Sequence, residues 1–365
     1  MTTTLAQEFD FLPKTGRPAS SGKAAGQYPF FTSSAELSKW TDSPDCEGPA
    51  LVFGTGGSAS LHYVERPFSA SNDCYIVRPK TGKMEDAKFY YHFLRTHMHL
   101  IEEGFRGAGL KHVTKKHLEK LVLPQDHGNS RSRIISILER ADGIRRKREK
   151  SIQLSQSLLC SYYAVLFERR DWLSAPLADV VANGTIVTYG IVQAGEEFPG
   201  GVPYIRTGDI KDGAIKTEGL RHTDPKIAAK FARSRVSAGD IVMSIRATVG
   251  TTAVVPASLD GANLTQGTAR IAPGTSVTRE YLLSFLRSDR CQRWIEAQVK
   301  GATFREITLK RLRELNVPLP PLSLQLRFSQ FAQSLEEQIA MQRNAHTAAT
   351  EFFLSLSQRA FRGEL

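Results

Sequence analysis

The apolar residues of this chain follow a pattern that occurs twice. In each half, short β-rich runs, such as Ala50 to Phe53 and Asp240 to Ile245, are separated by Gly-rich turns and predict a compact sheet. A helix is predicted after each set, over about 86–103 in the first half and 279–300 in the second, where apolar residues recur at helical spacing. The two halves therefore have the same predicted order of elements.

The halves also align residue by residue. An offset of 194 residues places Tyr75 to Pro79 on Ala269 to Pro273, and the same offset still relates Phe167 to Phe361. A constant register over about ninety residues indicates an internal duplication rather than chance similarity.

One stretch interrupts this register. Near the start of each half the offset is 174, where Gln27 to Thr32 faces Gly201 to Arg206, so the second copy carries 20 extra residues, most of them around 209–235. A variable insertion in a constant framework is typical of a recognition module that changes its target while it keeps its scaffold.

Two long helices are predicted over about 130–170 and 323–361, because these segments contain no proline and almost no glycine. At ~1.5 Å per residue, 40 residues make a rod of about 60 Å. Both helices have apolar residues at a and d spacing with polar residues in the middle, which predicts an antiparallel pair; the alternative is that each helix packs only on its own half. The apolar positions are Ile134, Leu138, Ala141, Ile152, Leu159, Tyr162 and Leu166, and Phe328, Ala332, Leu335, Ile339, Phe353, Leu356 and Ala360; the polar positions are Arg145, Arg148, Gln342 and His346.

The sequence thus predicts an α+β protein with two globular α/β recognition domains in tandem. Each domain is followed by a long helix, and the two helices pack as an antiparallel coiled coil. The predicted bounds are 1–128 and 171–321 for the domains, and 129–170 and 322–365 for the helices.

Charge and composition narrow the range of partners. Lys and Arg number 48 against 37 Asp and Glu, a net charge of +11 that favours an anionic partner such as nucleic acid or a membrane surface. No apolar run approaches the roughly 18 residues that span a bilayer, and the N-terminus lacks the features of a signal peptide, so we expect a cytoplasmic protein without a membrane partner. The four cysteines are widely spaced, and each is expected to be a buried or half-buried apolar residue.

Signatures of catalysis are weak. There is no Walker loop and no (D/N/S)PP(Y/F) tetrapeptide, and Val52 to Gly57 is interpreted as a tight turn near the DNA backbone rather than a cofactor loop. Two loose nuclease patterns, which begin at Asp73 and Asp212, are not reproduced between the copies. Three histidines near one helix have no carboxylate at metal-site spacing and are expected to be solvated or packed: His92, His97 and His99.

Several motifs occur in a characteristic order. They are Gly-x-Pro-Tyr-Ile-Arg-Thr-Gly-Asp-Ile (201–210), Gly-Asp-Ile-Val-Met-Ser-Ile-Arg (239–246), Asn-Leu-Thr-Gln-Gly (263–267) and the final Phe-Arg-Gly-Glu-Leu (361–365). With the duplication and the long helices, the chain resembles, over essentially its whole length, the specificity subunit of a type I restriction-modification enzyme. The first copy departs from the pattern at 28–34 and has a Gly-rich loop in place of Ser-Ile-Arg.

The resemblance implies a division of labour. Each globular half would recognise one part of a split site in double-stranded DNA, and the helices would fix the gap. The helices would also dock two methyltransferase subunits, which bring S-adenosylmethionine for N6 methylation of adenine, and a motor-nuclease subunit, which uses ATP and Mg²⁺. The chain itself would hold no catalytic residue, metal or cofactor.

Candidate DNA contacts follow from base chemistry. Arg, Asn and Gln distinguish base edges by bidentate hydrogen bonds, whereas Lys, Ser, Thr and backbone amides hold phosphates. In the second copy the candidates, all in predicted loops, are Arg206, Thr207, Arg246, Asn263, Gln266, Thr303 and Arg305. In the first copy they are Thr32, Ser33, Thr55, Ser58, Asn72, Arg106, Lys111 and His112.

Two other functions fit the same sequence. One is the recognition subunit or a fragment of a type II-like restriction-methylation enzyme, whose catalytic domains lie elsewhere. The other is a helical scaffold that binds only protein. Methyl transfer by the chain alone would favour the first, and binding without sequence preference or salt dependence would favour the second.

Overall fold

The computed structural model describes residues 2–124, 131–301 and 305–365. The chain forms two compact units, which we call unit 1 (Met1–Lys150 with Arg343–Leu365) and unit 2 (Ser151–Gln342). The boundary between the units falls inside both long helices, whereas the sequence-based bounds kept each helix whole. Each unit therefore contains one globular half and part of each helix.

Unit 1 contains the elements of the first copy. Its strands are β1 (Thr2–Thr4), β2 (Phe9–Phe11), β3 (Tyr28–Phe31), β4 (Trp40–Thr41), β5 (Ala50–Gly54), β6 (Leu61–Val64), β7 (Ser69–Ala70), β8 (Cys74–Pro79) and β9 (Val122–Pro124). Its helices are α1 (Leu5–Glu8), the 3₁₀ turn Ala19–Ser21, α2 (Met84–Thr96), α3 (His99–Glu102), α4 (Lys115–Glu119) and the first part of α5 (Arg131–Tyr163).

Two larger sheets make up most of the globular part of unit 1, and β1 pairs with β9 in a third, two-stranded sheet. One of the larger sheets is antiparallel with the order β2-β8-β5-β6, and the other has the order β4-β3-β7, in which β3 and β7 are parallel. Every residue of β5 is buried, because the apolar run Ala-Leu-Val-Phe supplies both faces of the central strand. Leu51 and Phe53 face the core that contains α2, while Val52 faces the core against the second sheet.

Unit 2 contains the elements of the second copy. Its strands are β10 (Ser174–Pro176), β11 (Thr188–Tyr189), β12 (Val202–Ile205), β13 (Ile210–Lys211), β14 (Ala214–Ile215), β15 (Arg221–Thr223), β16 (Ile241–Ser244), β17 (Thr252–Val254), β18 (Asn263–Leu264), β19 (Thr268–Ile271) and β20 (Asn316–Pro318). Its helices are α6 (Pro225–Lys230), α7 (Arg279–Arg287), α8 (Asp289–Gln298), α9 (Leu309–Arg313) and the first part of α10 (Leu322–Phe361), with 3₁₀ turns at Leu177–Asp179, Thr207–Asp209, Ala232–Ser234 and Ala257–Leu259.

The two larger sheets of unit 2 repeat those of unit 1 strand for strand. Their orders are β11-β19-β16-β17 and β15-β12-β18, and β12 and β18 are again parallel. Leu51 of β5 pairs with Val77 of β8 in unit 1, and Ile241 of β16 pairs with Ile271 of β19 in unit 2. The offset is therefore 190 residues between β5 and β16 and 194 residues between β8 and β19. The duplication predicted from sequence is confirmed.

The register also locates the extra residues of the second copy. Strands β3 and β12 are related by 174 and strands β5 and β16 by 190, so most of the insertion lies between β12 and β16, as predicted. It contains the β13–β14 hairpin and α6.

Most of the predicted apolar positions of the long helices are buried, while five are half-buried: Ile152, Leu159, Tyr162, Leu166 and Leu356. In unit 1, Leu138 and Ala141 of α5 share a core with Phe353 and Ala360 of α10. In unit 2, Ser155 lies 3.5 Å from Gln342 and the ring of Tyr162 lies 4.5 Å from that of Phe331. The two helices therefore run antiparallel within unit 2, as predicted.

Local details differ from the predictions. A π-helical turn over Ala164–Glu168 follows α5, and Tyr163 and Phe167 are fully buried, whereas the predicted Tyr162 and Leu166 are half-buried and pack against the same core. The segment predicted as one helix over 279–300 is two helices, because Ser288 caps the N-terminus of α8. The predicted helix over 86–103 is likewise divided into α2 and α3.

Among the cysteines, Cys160 is exposed, so the expectation of burial is wrong there. It lies on the solvent side of α5, where the helical period points it away from the core. Across the described ranges, no helix has both the length and the apolar composition needed to cross a membrane.

Candidate nucleic-acid interface

A cleft of about 340 Å³ lies at one edge of the sheets of unit 2 and is lined by four of the predicted residues. Arg206 and Thr207 follow β12, and Gln266 follows β18, the parallel neighbour of β12. Parallel strands end at the same edge of a sheet, which brings these loops together. Arg246 follows β16 and completes the lining. We call this group the arginine cleft.

Arg206 is held by a carboxylate within a 3₁₀ turn. Its Nε and Nη2 donate to the two carboxylate oxygens of Asp209, both at 2.9 Å, and its backbone N–H donates to the same carboxylate. Burial opposes ionisation of Asp209, but the hydrogen bonds from Arg206 lower the pKa of this carboxyl overall. The Arg206 side chain is 41% exposed, so one edge of the guanidinium is fixed and the rest faces solvent.

Arg246 is paired more loosely with a distant carboxylate, because its Nη2 donates a hydrogen bond to that carboxylate but its Nε does not. Its Nε lies 3.0 Å from one carboxylate oxygen of Glu306, and its Nη2 lies 3.4 Å from the other. The main chain supports this pair, because Arg246 and Glu306 form a β-bridge and the N–H of Ile307 donates to Ile245 at 3.0 Å. The next residue, Ala247, has φ 57°, a left-handed conformation that turns the loop sharply after the arginine.

The other candidates of the second copy are placed differently. Asn263 lies in β18 with a buried side chain that accepts from Ser234 at 2.6 Å and donates to the carbonyl of Ala228, which corrects the expectation of a loop position. Its amide is occupied inside the protein and does not face solvent. Arg305 is in an exposed loop and pairs with Glu296, and Thr303 lies outside the described residues.

In unit 1, equivalent positions carry shorter polar side chains. Thr32, Ser33 and Asn72 take the places of Arg206, Thr207 and Gln266, and all three follow the equivalent strands β3 and β7.

Ser33 organises these loops of unit 1. Its Oγ donates to the carbonyl of Asp73 at 2.6 Å and accepts from the backbone N–H groups of Thr55 and Gly56 at 3.0 and 3.2 Å. Thr55 is buried and donates to the same carbonyl of Asp73. Ser33 and Thr55 thus shape the loops of unit 1, while Ser58 is exposed at their tip.

The position of Arg246 is occupied by glycine in unit 1. Gly56 forms a β-bridge with His112, as Arg246 does with Glu306, and a Cβ added at Gly56 would lie 3.0 Å from the His112 ring. Two further candidates, Arg106 and Lys111, are exposed in the same loop cluster. The loop clusters of the two units therefore share a backbone frame and differ in the side chains that they present.

Sequence reasoning missed the two carboxylates that pair with the arginines of the cleft: Asp209 and Glu306. Asp209 lies three residues after Arg206 and caps the 3₁₀ turn, so its contact with Arg206 could have been inferred from the local sequence. Glu306 is 60 residues from Arg246, and only the pairing of the two loops reveals the contact.

Other polar clusters consist of packed or paired side chains. Within the residues that the structure describes, no group of three or more His, Cys, Asp or Glu side chains is arranged to hold a metal ion. Of the three clustered histidines, His92 is buried and burial lowers its pKa to about 4, while the ring of His97 stacks on Phe93. In the loose nuclease pattern that begins at Asp73, the later members are Asp86 and Lys88; Asp86 pairs with Arg131, and Lys88 pairs with Glu65 and Glu139.

Comparisons with known proteins agree with this architecture. The family described as type I restriction modification DNA specificity domain matches residues 11–155 and 170–348. The type I restriction enzyme EcoBI specificity subunit of Escherichia coli is 25% identical over 315 residues, which cover 76% of this chain and 65% of that protein. The chain thus spans about two thirds of the length of this relative.

Solved structures support the fold. The type I restriction-modification system S subunit from M. genitalium superposes with a TM-score of 0.62 at 15% identity, over 98% of this chain and 95% of that one. A chain from a study of complex assembly and conformational transition of the type I R-M system has a TM-score of 0.51 at 19% identity, over 100% and 98% of the two chains. The duplicated sheets, the long helices and a family match to both halves lead to one conclusion: the chain belongs to the type I restriction-modification DNA specificity family.

Proposed function

We propose that this chain is the DNA sequence-specificity subunit of a type I restriction-modification complex and recognises a split site in double-stranded DNA. The observation that carries the proposal is the pair of equivalent loop clusters, one in each unit, built on the same strand ends. A repeated frame with different exposed side chains is suited to recognise two different sequences, since side chains on loops determine which base edges are contacted.

The net charge of +11 supports a polyanionic partner. Such a charge strengthens binding to any DNA and makes it dependent on salt, whereas the cleft residues supply sequence preference. Because the side chains at equivalent positions differ between the units, the proposed site is asymmetric.

The long helices are proposed to dock two methyltransferase subunits and a motor-nuclease subunit. Exposed apolar side chains support this role: Leu154 and Leu158 of α5 are 60% and 51% exposed, and Met341 of α10 is 64% exposed. The partners would supply S-adenosylmethionine, ATP and Mg²⁺ and carry out N6 methylation of adenine in the cytoplasm. This chain would contribute no catalytic group.

The test is selection of binding sites from a randomised duplex library by the purified full chain, alone and with the methyltransferase subunits. We expect a motif with two constant parts separated by a fixed gap, and affinity that falls steeply as salt rises. Enrichment of no motif would refute the proposal. Methyl transfer from S-adenosylmethionine to DNA by the chain alone would also refute it, in favour of a catalytic enzyme.

A further inference from the structure

We infer that unit 2 recognises guanine through Arg206 and Arg246, and that unit 1 recognises its half of the site without an arginine at these positions. This inference rests on the proposed function, because it requires DNA in the arginine cleft. It adds what the fold alone does not provide, namely which base is recognised, by which side chains, and in which half of the site.

The two guanidinium groups share one geometry. In both residues, the edge formed by Nε and Nη2 faces a carboxylate, Asp209 for Arg206 and Glu306 for Arg246. This leaves the end formed by Nη1 and the outer hydrogen of Nη2. Two parallel N–H groups on a rigid plane match the O6 and N7 acceptors of guanine in the major groove.

The charge of the two ion pairs favours a base edge over a phosphate. Each arginine with its carboxylate forms an ion pair with no net charge, and the carboxylate would repel a phosphate brought close to it. A single arginine without a carboxylate would suit a phosphate better. The pairing fixes the guanidinium in one orientation before DNA arrives, which reduces the ordering cost of binding and favours a base edge at a defined position.

The cleft between the arginines is shaped by a closely packed glycine. Gly267 packs closely on its neighbours: an added Cβ would lie 2.9 Å from Cγ2 of Thr207 and 3.8 Å from Cβ of Arg246. The lining of the cleft also includes Gln266, whose amide suits adenine N6 and N7. The cleft can therefore take a short row of base edges, with guanine opposite the arginines.

Unit 1 provides the internal contrast. Thr32 and Gly56 stand where unit 2 has Arg206 and Arg246, so neither position carries a guanidinium. The carboxylate of Glu306 is likewise replaced by His112. Contact with guanine by this geometry is thus restricted to one half of the site.

The experiment begins with the motif selected by the wild-type full chain. Guanines of the motif are replaced one at a time by 7-deazaguanine, which pairs normally but lacks the N7 acceptor. We expect at least one guanine in one half-site at which the replacement weakens binding by about 5- to 150-fold, the equivalent of the 1–3 kcal/mol of a bidentate base contact. The other half-site should show no comparable loss.

Variants then assign the contact to residues. Substitution of Arg206 or Arg246 by Ala, or by Lys, which keeps the charge without the fork, should abolish the penalty for 7-deazaguanine at one position. Glu306→Gln should reduce that penalty. The matched control is Arg311→Ala, which removes an arginine with a similar ion pair to Glu314 at 2.9 Å outside the cleft and should leave the motif unchanged. Retention of the remaining base preferences in the half-site of unit 2 in each variant shows that unit 2 is folded.

The outcomes separate the two proposals. If the wild-type chain selects no motif, the proposed function fails. If it selects a split motif in which no 7-deazaguanine penalty depends on Arg206 or Arg246, the guanine assignment is overturned and the proposed function stands. Equal weakening of all sequences by Arg246→Ala would identify a phosphate contact and would also overturn the assignment.

Discussion

The junction between α2 and α5 in unit 1 depends on one buried carboxylate, and its removal should destabilise the unit. Asp142 of α5 is 1% exposed and accepts hydrogen bonds from Arg95 of α2 at 2.9 Å, from Arg145 at 2.8 and 3.0 Å, and from Arg146 at 2.7 Å. We consider the substitution Asp142→Asn, which keeps the volume of the side chain and removes its charge.

The expected loss of stability follows from the burial of Asp142 and the partial exposure of its arginine partners. Removal of one partner from a buried ion pair costs about 3–5 kcal/mol, because the remaining charge stays buried. Here the arginines reach solvent, with exposed fractions of 28% for Arg95, 20% for Arg145 and 63% for Arg146, and can be partly rehydrated. We therefore expect the free energy of unfolding of unit 1 to fall by about 2 kcal/mol.

The same cluster predicts a pH dependence. Burial opposes ionisation of Asp142, but hydrogen bonds from the three arginines outweigh it and lower the pKa of the carboxyl well below its usual range. A lowered pKa in the folded state means that the stabilisation is present above the unfolded-state pKa of about 3.9 and is lost as the pH falls below it. Asp142→Asn should lack this part of the acid sensitivity.

Urea unfolding between pH 3 and pH 7 measures both effects, with the fluorescence of Trp40 in unit 1 as the signal after Trp172 and Trp294 are changed to Phe. The matched control is Asp10→Asn, an exposed aspartate of the same unit, which should change the free energy by less than about 0.5 kcal/mol. The reasoning is refuted if Asp142→Asn behaves like this control at pH 7 and keeps the parent's slope below pH 4.

Three further predictions concern packing, backbone and thiols. Phe328→Ala should destabilise unit 2 by about 3–5 kcal/mol in urea unfolding, since the ring is fully buried; a loss below 1 kcal/mol would contradict the packing. Ala247→Gly should increase the free energy of unfolding by up to about 1 kcal/mol and raise the melting temperature slightly, because residue 247 has φ 57°, which glycine adopts without strain. A lower melting temperature would show that the loop is unstrained. At pH 8 an alkylating reagent should modify exposed Cys160 much faster than Cys74 or Cys291, whose pKa values burial raises to about 11 and about 12; mass spectrometry would show any exception.

The sequence predicted the repeated scaffold because its signals are periodic and local. Leu138, Phe328 and Phe353 lie at coiled-coil spacing, and each is buried as expected. The sequence also revealed the common offset of β8 and β19, because no insertion falls between either strand and the long helix that follows it. Arg206 and Gln266 were correctly placed in loops by their turn-rich motifs.

The sequence could not predict contacts that depend on distant strands. Asn263 lies in a motif rich in turn residues, yet a two-residue strand pairs it with β12 and its amide is used inside the protein. Glu306 was missed because the insertion changes the offset on both sides of β16, so the partner of Arg246 becomes apparent only when the sheet is in register. The assignment of all candidate residues to DNA contact stays a prediction.

The division of the long helices between the units has a consequence for folding during synthesis. Phe353 and Ala360 belong to the core of unit 1, although they are made about 200 residues after the rest of that unit. At about 5–20 residues per second, the nascent first copy waits about 10–40 s with part of its apolar surface uncovered. Unit 2 needs only residues up to Gln342, so the copy that is translated second is expected to complete its core first.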